Sequence, residues 1–169
     1  MSGEASKTYY ILTQDRIWKP DSLTLRKSAG LKNPENGADY ILITREAFLP
    51  SADPLIRFRE EQGLRAVGVS VEDIFDEFGH GLFDPRAIKD FLSHAYHEWK
   101  KPAPTYILLI GDASTDYRDH WNHGKPNHLP VHLSTTDLGQ TPDDNWYVCV
   151  EGDDPLPEMF VGRLPGENG

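Results

Sequence analysis

Cysteine is nearly absent from this sequence: among 169 residues there is one, Cys149. A single thiol excludes an internal disulfide. Long apolar runs are missing too, and none approaches the ~20 residues that a membrane-spanning helix needs. The first residues, MSGEASKTYY, lack both a basic start and an apolar stretch, so they do not read as a secretory signal. Basic charge is scarce, with 17 Lys and Arg against 27 Asp and Glu and a formal charge of −10 at pH 7. Nucleic-acid binding needs clustered cations to neutralise phosphates. No Lys/Arg cluster here exceeds two or three residues, which sets a nucleic-acid partner aside. The Walker loop, the dinucleotide GxGxxG, the GxSxG elbow and the HExxH zinc helix are all missing.

What is present is a rhythm of short apolar runs and helical stripes. DYILIT (39–44), RAVGVSV (65–71) and TYILLIGD (105–112) suit buried parallel strands. SADPLIRFREEQG reads as a helix capped by Ser51 or Asp53, with Pro54 in its first turn, Gly63 closing it, and Leu55, Ile56 and Phe58 toward the sheet. VEDIFDEFG is a short helix with Ile74, Phe75 and Phe78 on one side. DPRAIKDFLSHAYHEW (84–99) is the clearest element: Asp84 caps, Pro85 opens, and Ile88, Phe91, Leu92, Ala95 and Trp99 form the stripe. Strand–helix–strand alternation of this kind predicts an α/β fold with a mainly parallel sheet flanked by helices, a three-layer sandwich. YYILT (9–13) and DSLTLRK suggest further strands in a loosely organised region 1–37, set apart from a domain over 38–169. Residues 113–144 read as polar loop. NWYVCVEG (145–152) alternates like a strand and, with MFVGRLP (159–165), predicts a C-terminal hairpin.

Three groups of residues suggest chemistry. His80, followed by Gly81, and Cys149 have the residue types of a His/Cys peptidase. His80 falls in a turn and Cys149 within the expected strand 145–152, where a cysteine is a small hydrophobe, so the pair is expected to be structural. The histidines form two sets, His94 and His97 on a helix and His120, His123, His128 and His132 in a loop with Asp116 and Asp119. Neither has a zinc signature's spacing, and a solvated loop is the expectation. The third group is acidic. Asp112 ends a strand, Glu151, Asp153, Asp154 and Glu158 share one turn, and Asp143 and Asp144 lie nearby. Calcium takes six to eight oxygens from carboxylates and turn carbonyls, so this group suits either a calcium site or a solvated acidic turn.

The ordered segments ADYILIT, RFREEQGLRAVGVSVEDIFDEFGHGLFDPRAIKDFL, TYILLIGDAS, PDDNWYV and FVGRLP resemble the gingipain family of cysteine peptidases, from about Ala38 to Pro165. The resemblance implies a caspase-like fold, of which this chain is the first sub-domain. It also implies a His/Cys dyad carried on a second sub-domain, beyond the GRLP strand and therefore beyond residue 169. On that expectation the chain is the N-terminal part of a cysteine endopeptidase domain and is inactive alone. Its partners are then the C-terminal catalytic sub-domain of the same parent chain and the parent's protein or peptide substrate. The resemblance further implies structural calcium at Asp112, Asp154 and Glu158, with Glu151 as a backbone ligand, although Pro155 and Pro157 depart from the family's turn. An extracellular or cell-surface location is implied in the same way. The rival expectation is a non-catalytic scaffold or binding module of a large surface protein, because fold resemblance does not carry activity with it. A metal hydrolase using the histidine-rich loop is a third expectation.

Overall fold

A four-stranded, all-parallel sheet forms the centre of the molecule. The computed structural model describes residue 13 and residues 25–114, 116, 120–122, 124, 127–137, 139–152 and 154–166. In chain order the strands are β1 (Tyr40–Thr44), β2 (Ala66–Ser70), β3 (Tyr106–Ile110), β4 (Leu133–Thr136), β5 (Gly139–Pro142) and β6 (Phe160–Leu164). The helices are α1 (Leu49–Glu61), α2 (Val71–Phe78) and α3 (Pro85–Glu98). The sheet order is β2-β1-β3-β6, and Tyr40 stands level with Ala66 on one side and with Tyr106 on the other. This is the layered α/β architecture expected from the sequence. The expected strand at 9–13 falls outside the described residues except for residue 13, and of DSLTLRK only Leu25, Arg26 and Lys27 are described, where they form no strand. Among the described residues, no helix is long and apolar enough to cross a membrane.

The central strand β1 is apolar and buried on both faces because both face protein. Ile41, Ile43, Val69, Ile107 and Leu109 point to one side, where they meet Ile74 and Phe75 of α2 and Ile88, Phe91, Leu92 and Ala95 of α3. Each fully buried side chain of this size contributes roughly 1.5–3 kcal/mol of transfer free energy. Tyr40 and Leu42 point to the other side, where Ala52, Leu55 and Ile56 of α1 cover them. Gly68 lets α1 sit close, since a Cβ there would lie 2.7 Å from Ile56 Cδ1 and push that side chain aside.

The capped helix follows its sequence closely. Asp84 Oδ1 accepts from the Arg86 backbone N–H at 2.9 Å, Pro85 is the first helical residue, and Trp99 ends the stripe buried. The Trp99 indole donates to the Leu31 carbonyl at 2.9 Å, which ties the segment before β1 under the end of α3. Ser70 caps α2 by accepting from the Asp73 N–H.

Three expectations are corrected. First, α1 begins at Leu49, with Pro50 in its opening turn, so Ser51 and Asp53 are helical residues and not caps, and Pro54 lies inside the helix. Proline at 54 is the sixth helical residue and forgoes the one bond its N–H would make to the Pro50 carbonyl. Phe58 is turned outward, 50 % exposed. Second, 145–152 is not a strand. Asn145–Tyr147 is a 3₁₀ turn and the chain beyond it is irregular. The N–H groups of Tyr147 and Val148 donate to the carbonyls of Asp144 and Asn145, as a 3₁₀ turn requires, and both side chains are buried. Third, the FVGRL strand is no hairpin arm: β6 pairs in parallel with β3, Tyr106 level with Phe160. Among the described residues the hairpin is β4–β5, within the stretch expected to be loop.

Candidate functional site

Ligand sites in parallel α/β sheets gather beyond the carboxyl ends of the strands. Here that edge is built by Thr44 and Arg45 after β1, Ser70 and Glu72 at β2, Gly111 and Asp112 after β3, and the segment 127–132. The Thr44 hydroxyl donates to the Ile110 carbonyl at 2.8 Å, joining the ends of β1 and β3. The chain then doubles back, because the N–H groups of His128 and Leu129 both donate to the Asp112 carbonyl, at 2.9 and 3.2 Å. Gly111 allows this. Its φ is +135° and a Cβ would stand 3.0 Å from that of His128. His128 is buried between Phe48, edge-to-face at 5.0 Å, and Arg45, whose Nη1 lies 3.4 Å from Nδ1. Arg45 Nε also donates to Glu72, which accepts from the Glu46 N–H and the Ser70 hydroxyl. Burial raises the Glu72 pKa, but these donors together outweigh it and leave the carboxyl below its ordinary value.

A second set of bonds fixes the following loop. Arg163 of β6, its side chain 15 % exposed, pairs with both oxygens of Asp144 and donates to the carbonyls of Gly111, Leu129 and Pro130. The Tyr147 hydroxyl donates to the same Pro130 carbonyl at 2.8 Å, and burial pushes its pKa up. The result is a crevice of about 670 Å³ whose lining includes Leu82 and Phe83 before α3, Pro85 and Arg86 at its start, and Pro130 and His132. His132 stacks on Trp146 at 3.8 Å and 11°. Burial first, and Lys89 with it, holds the His132 pKa below its ordinary value against the pull of Asp143. Arg163 and Tyr147 were not recognised as site-forming in the sequence. The one signal is that alternation along FVGRL puts Arg163 on the same inward face as Val161.

The sequence-predicted candidates are scattered. His80 lies exposed in the turn after α2 with φ +54°, and Gly81 follows at +76°. Cys149 is half-buried, and its thiol donates to the Asn145 carbonyl at 3.3 Å. Burial, helped by Glu158, Asp143 and Asp154 and opposed by Lys89, raises the Cys149 pKa, the opposite of what an activated thiol needs. Among the described residues no hydrogen bond joins His80 to Cys149. His94 packs on Phe78, His97 sits 3.3 Å from the Val150 carbonyl, and His128 and His132 occupy the separate surroundings given above. The His120 N–H donates to Asp116 Oδ1. His123, Asp119 and Asp153 lie outside the described residues, among which no three His, Cys, Asp or Glu side chains come together as a metal site.

The four expected calcium ligands are not gathered. Asp112 follows the carboxyl end of β3. Glu158 precedes the amino end of β6, where Phe160 donates to the Thr105 carbonyl. Because the two strands are parallel, the length of β3 separates them, roughly 20 Å at ~3.3 Å per residue. Glu158 Oε2 is occupied by the N–H groups of Val150 and Glu151, at 2.6 and 3.3 Å, and Asp154 Oδ1 by that of Leu156. Asp112, Glu151, Asp154 and Glu158 therefore do not fit one calcium shell.

The fold itself has known counterparts. The chain resembles dimeric latent PorU from Porphyromonas gingivalis, with a TM-score of 0.66 and 26 % identity over 79 % of this chain and 14 % of that one. It resembles the complex of Porphyromonas gingivalis RgpB pro- and mature domains, with a TM-score of 0.58 and 22 % identity over 76 % of this chain and 25 % of that one. The second likeness shows fold alone, and in both cases this chain spans a minor part of the counterpart's length. No curated protein matches the chain. The profile of peptidase family C25 matches residues 33–169, so the chain belongs to that family, the gingipain family of cysteine peptidases.

Proposed function

We propose that this chain is the N-terminal part of a gingipain-like cysteine endopeptidase domain, whose His/Cys dyad lies beyond residue 169. The observation that carries the reading is the state of Cys149. A peptidase of this family needs a thiolate, and the chain's one thiol is bonded to the Asn145 carbonyl, joined to no imidazole among the described residues, and pushed up in pKa by burial. On this reading the nucleophile comes from elsewhere in the parent, and the role of this sub-domain is to support it. In the parent, a histidine takes the proton of the catalytic thiol, the thiolate sulfur bonds to the scissile carbonyl carbon, and backbone N–H groups hold the oxyanion. The histidine then protonates the leaving amine, and water hydrolyses the acyl-enzyme. The contribution of this sub-domain is a rigid parallel sheet whose carboxyl edge is braced by Arg163 and Tyr147. The proposal places the parent outside the cell or on its surface.

The test compares hydrolysis of denatured casein and of short fluorogenic peptides by the isolated chain and by the full product of its gene. The expected result is thiol-dependent cleavage by the full product and none by the isolated chain. A full product without cleavage, lacking a downstream His-Gly and cysteine, supports the scaffold reading instead.

A further inference from the structure

The segment ahead of β1 changes character at one residue. Residues 25–29 are exposed and irregular, Leu25 almost wholly so at 99 %, and among the described residues they make no backbone–backbone hydrogen bond. From Leu31 onward the chain is seated. The Leu31 side chain is buried, its carbonyl accepts from the Trp99 indole, and the Asn36 amide donates to the Gly30 carbonyl at 2.9 Å. Gly30 lies at the change, with φ +76° and no atom within 4 Å of the place a Cβ would take. What holds residues 25–29 is charge. Asp73, Asp76 and Glu77 stand at i, i+3 and i+4 on α2, turned away from Ile74 and Phe75, and like charges at that spacing repel. Arg26 answers them: Nη2 lies 3.0 Å from Asp73 and 3.3 Å from Glu46, and Nε lies 3.1 Å from Asp76. The Ser28 hydroxyl donates to Glu77 Oε1 at 2.7 Å, beside the Gly30 N–H at 2.8 Å. Burial pushes the Asp73 pKa up, and Glu46, Asp76 and Glu77 push the same way against Arg26, so the acids crowd one another even with the guanidinium in place. Ala29 borders a slot of about 480 Å³ that also touches Val67, Gly68 and Trp99, so the segment spans open space beside β2.

We infer that residues 25–29 form a charge-held strap, hinged at Gly30, which swings away from α2 when its ion pairs are screened while Leu31 stays seated. Ion pairs as exposed as those of Arg26 are individually weak, and salt weakens them further. A segment with few buried apolar contacts opens locally without unfolding the rest. Opening bares Asp73, Asp76 and Glu77 together, an acidic face that Arg26 partly neutralises in the closed form.

Limited proteolysis with an endoprotease that cuts after lysine reads the two sides of the hinge separately. Lys27 lies on the strap, and Lys32, over the Phe78 ring at 4.8 Å, lies beyond Gly30. Each cut in the native chain is followed by mass spectrometry, and its rate is divided by that of the free peptide 22–36 at the same salt concentration. Cutting at Lys27 then tracks the population of the open strap. The expected result is slow cutting at Lys27 at low salt and a rise of about tenfold toward ~1 M salt, where the screening length falls to about 3 Å. Arg26→Gln should give a similar rise already at low salt, and Asp76→Asn, which leaves Arg26 its other partners, a smaller one. Cutting at Lys32 should stay slow throughout. Cutting at Lys27 that matches the free peptide already at low salt overturns the inference. So does cutting at Lys27 that ignores both salt and Arg26→Gln, which assigns the hold to other contacts. A rise at Lys32 equal to that at Lys27 overturns it as well, because the hinge would then not lie at Gly30.

Discussion

Arg163 and Asp144 meet as a two-pronged pair, Nη2 to Oδ1 at 2.7 Å and Nε to Oδ2 at 2.8 Å. The guanidinium also donates to three backbone carbonyls, so one side chain joins β6, the end of β3 and the 129–130 segment. Removing one partner of a largely buried, hydrogen-bonded pair costs about 3–5 kcal/mol, because it leaves the other charge unpaired. Arg163→Met is expected near the lower end, about 3 kcal/mol, since the Asp144 side chain is 24 % exposed. The double variant with Asp144→Asn should lose less than the sum of the two single variants. Urea denaturation of the four proteins measures both quantities, and strict additivity would mean that the pair does not act as a unit.

How much of this was legible in the sequence follows from which signals are local. The α3 helix was legible because cap, proline and stripe are all local and agree, and β1 and β3 because a short apolar run bounded by polar residues has few alternatives. NWYVCV misled because it alternates in composition while its burial follows a 3₁₀ turn and the demands of Asp144 and Tyr147. The β4–β5 hairpin, LSTT and GQTP, has almost no apolar pattern to reveal it. Arg163 was invisible as a brace because a charge in a strand reads as solvent-facing until its partners, 19 to 52 residues away, are in place. The spread of the acidic group has a topological cause that no local signal carries. Only the parallel pairing of β6 with β3 reveals that Asp112 and Glu158 lie at opposite ends of the sheet.

That topology predicts the response to calcium. Any rise in melting temperature with calcium over magnesium should be the same in the native chain and in Asp112→Ala, because Asp112 shares no shell with Glu151, Asp154 and Glu158. Thermal melting with calcium, magnesium and a chelator checks this through the mass-action link between binding and stability. A calcium-specific rise abolished by Asp112→Ala would show that the four residues do come together.

Acid stability should depend on Asp39. Its carboxylate accepts from Arg65 Nη2 at 2.7 Å, Arg65 Nε at 3.0 Å and the Arg65 backbone N–H at 2.8 Å. The Arg65 side-chain bond is the main cause that holds its pKa below the ordinary 3.8. A carboxyl depressed in the folded state stabilises fully above its unfolded pKa and loses that contribution as pH falls through the folded value. Asp39→Asn should therefore cost stability at pH 7, about 1 kcal/mol for a pair this exposed. The difference from the native chain should shrink as pH falls from 3.8 downward. Melting temperatures between neutral pH and pH 2 measure it, and a difference that grows on acidification would refute the assignment.

The central claim is that the peptidase chemistry of the parent uses a thiol outside these residues. It is tested most directly by labelling the full gene product with a peptidyl acyloxymethyl ketone, which alkylates an activated catalytic cysteine, and mapping the adduct by mass spectrometry. The account predicts an adduct beyond residue 169, an unchanged labelling rate in Cys149→Ala, and no adduct on the isolated chain. An adduct on Cys149 that is lost in Cys149→Ala or in His80→Ala would contradict it, and would make the pair here described as structural the catalytic one.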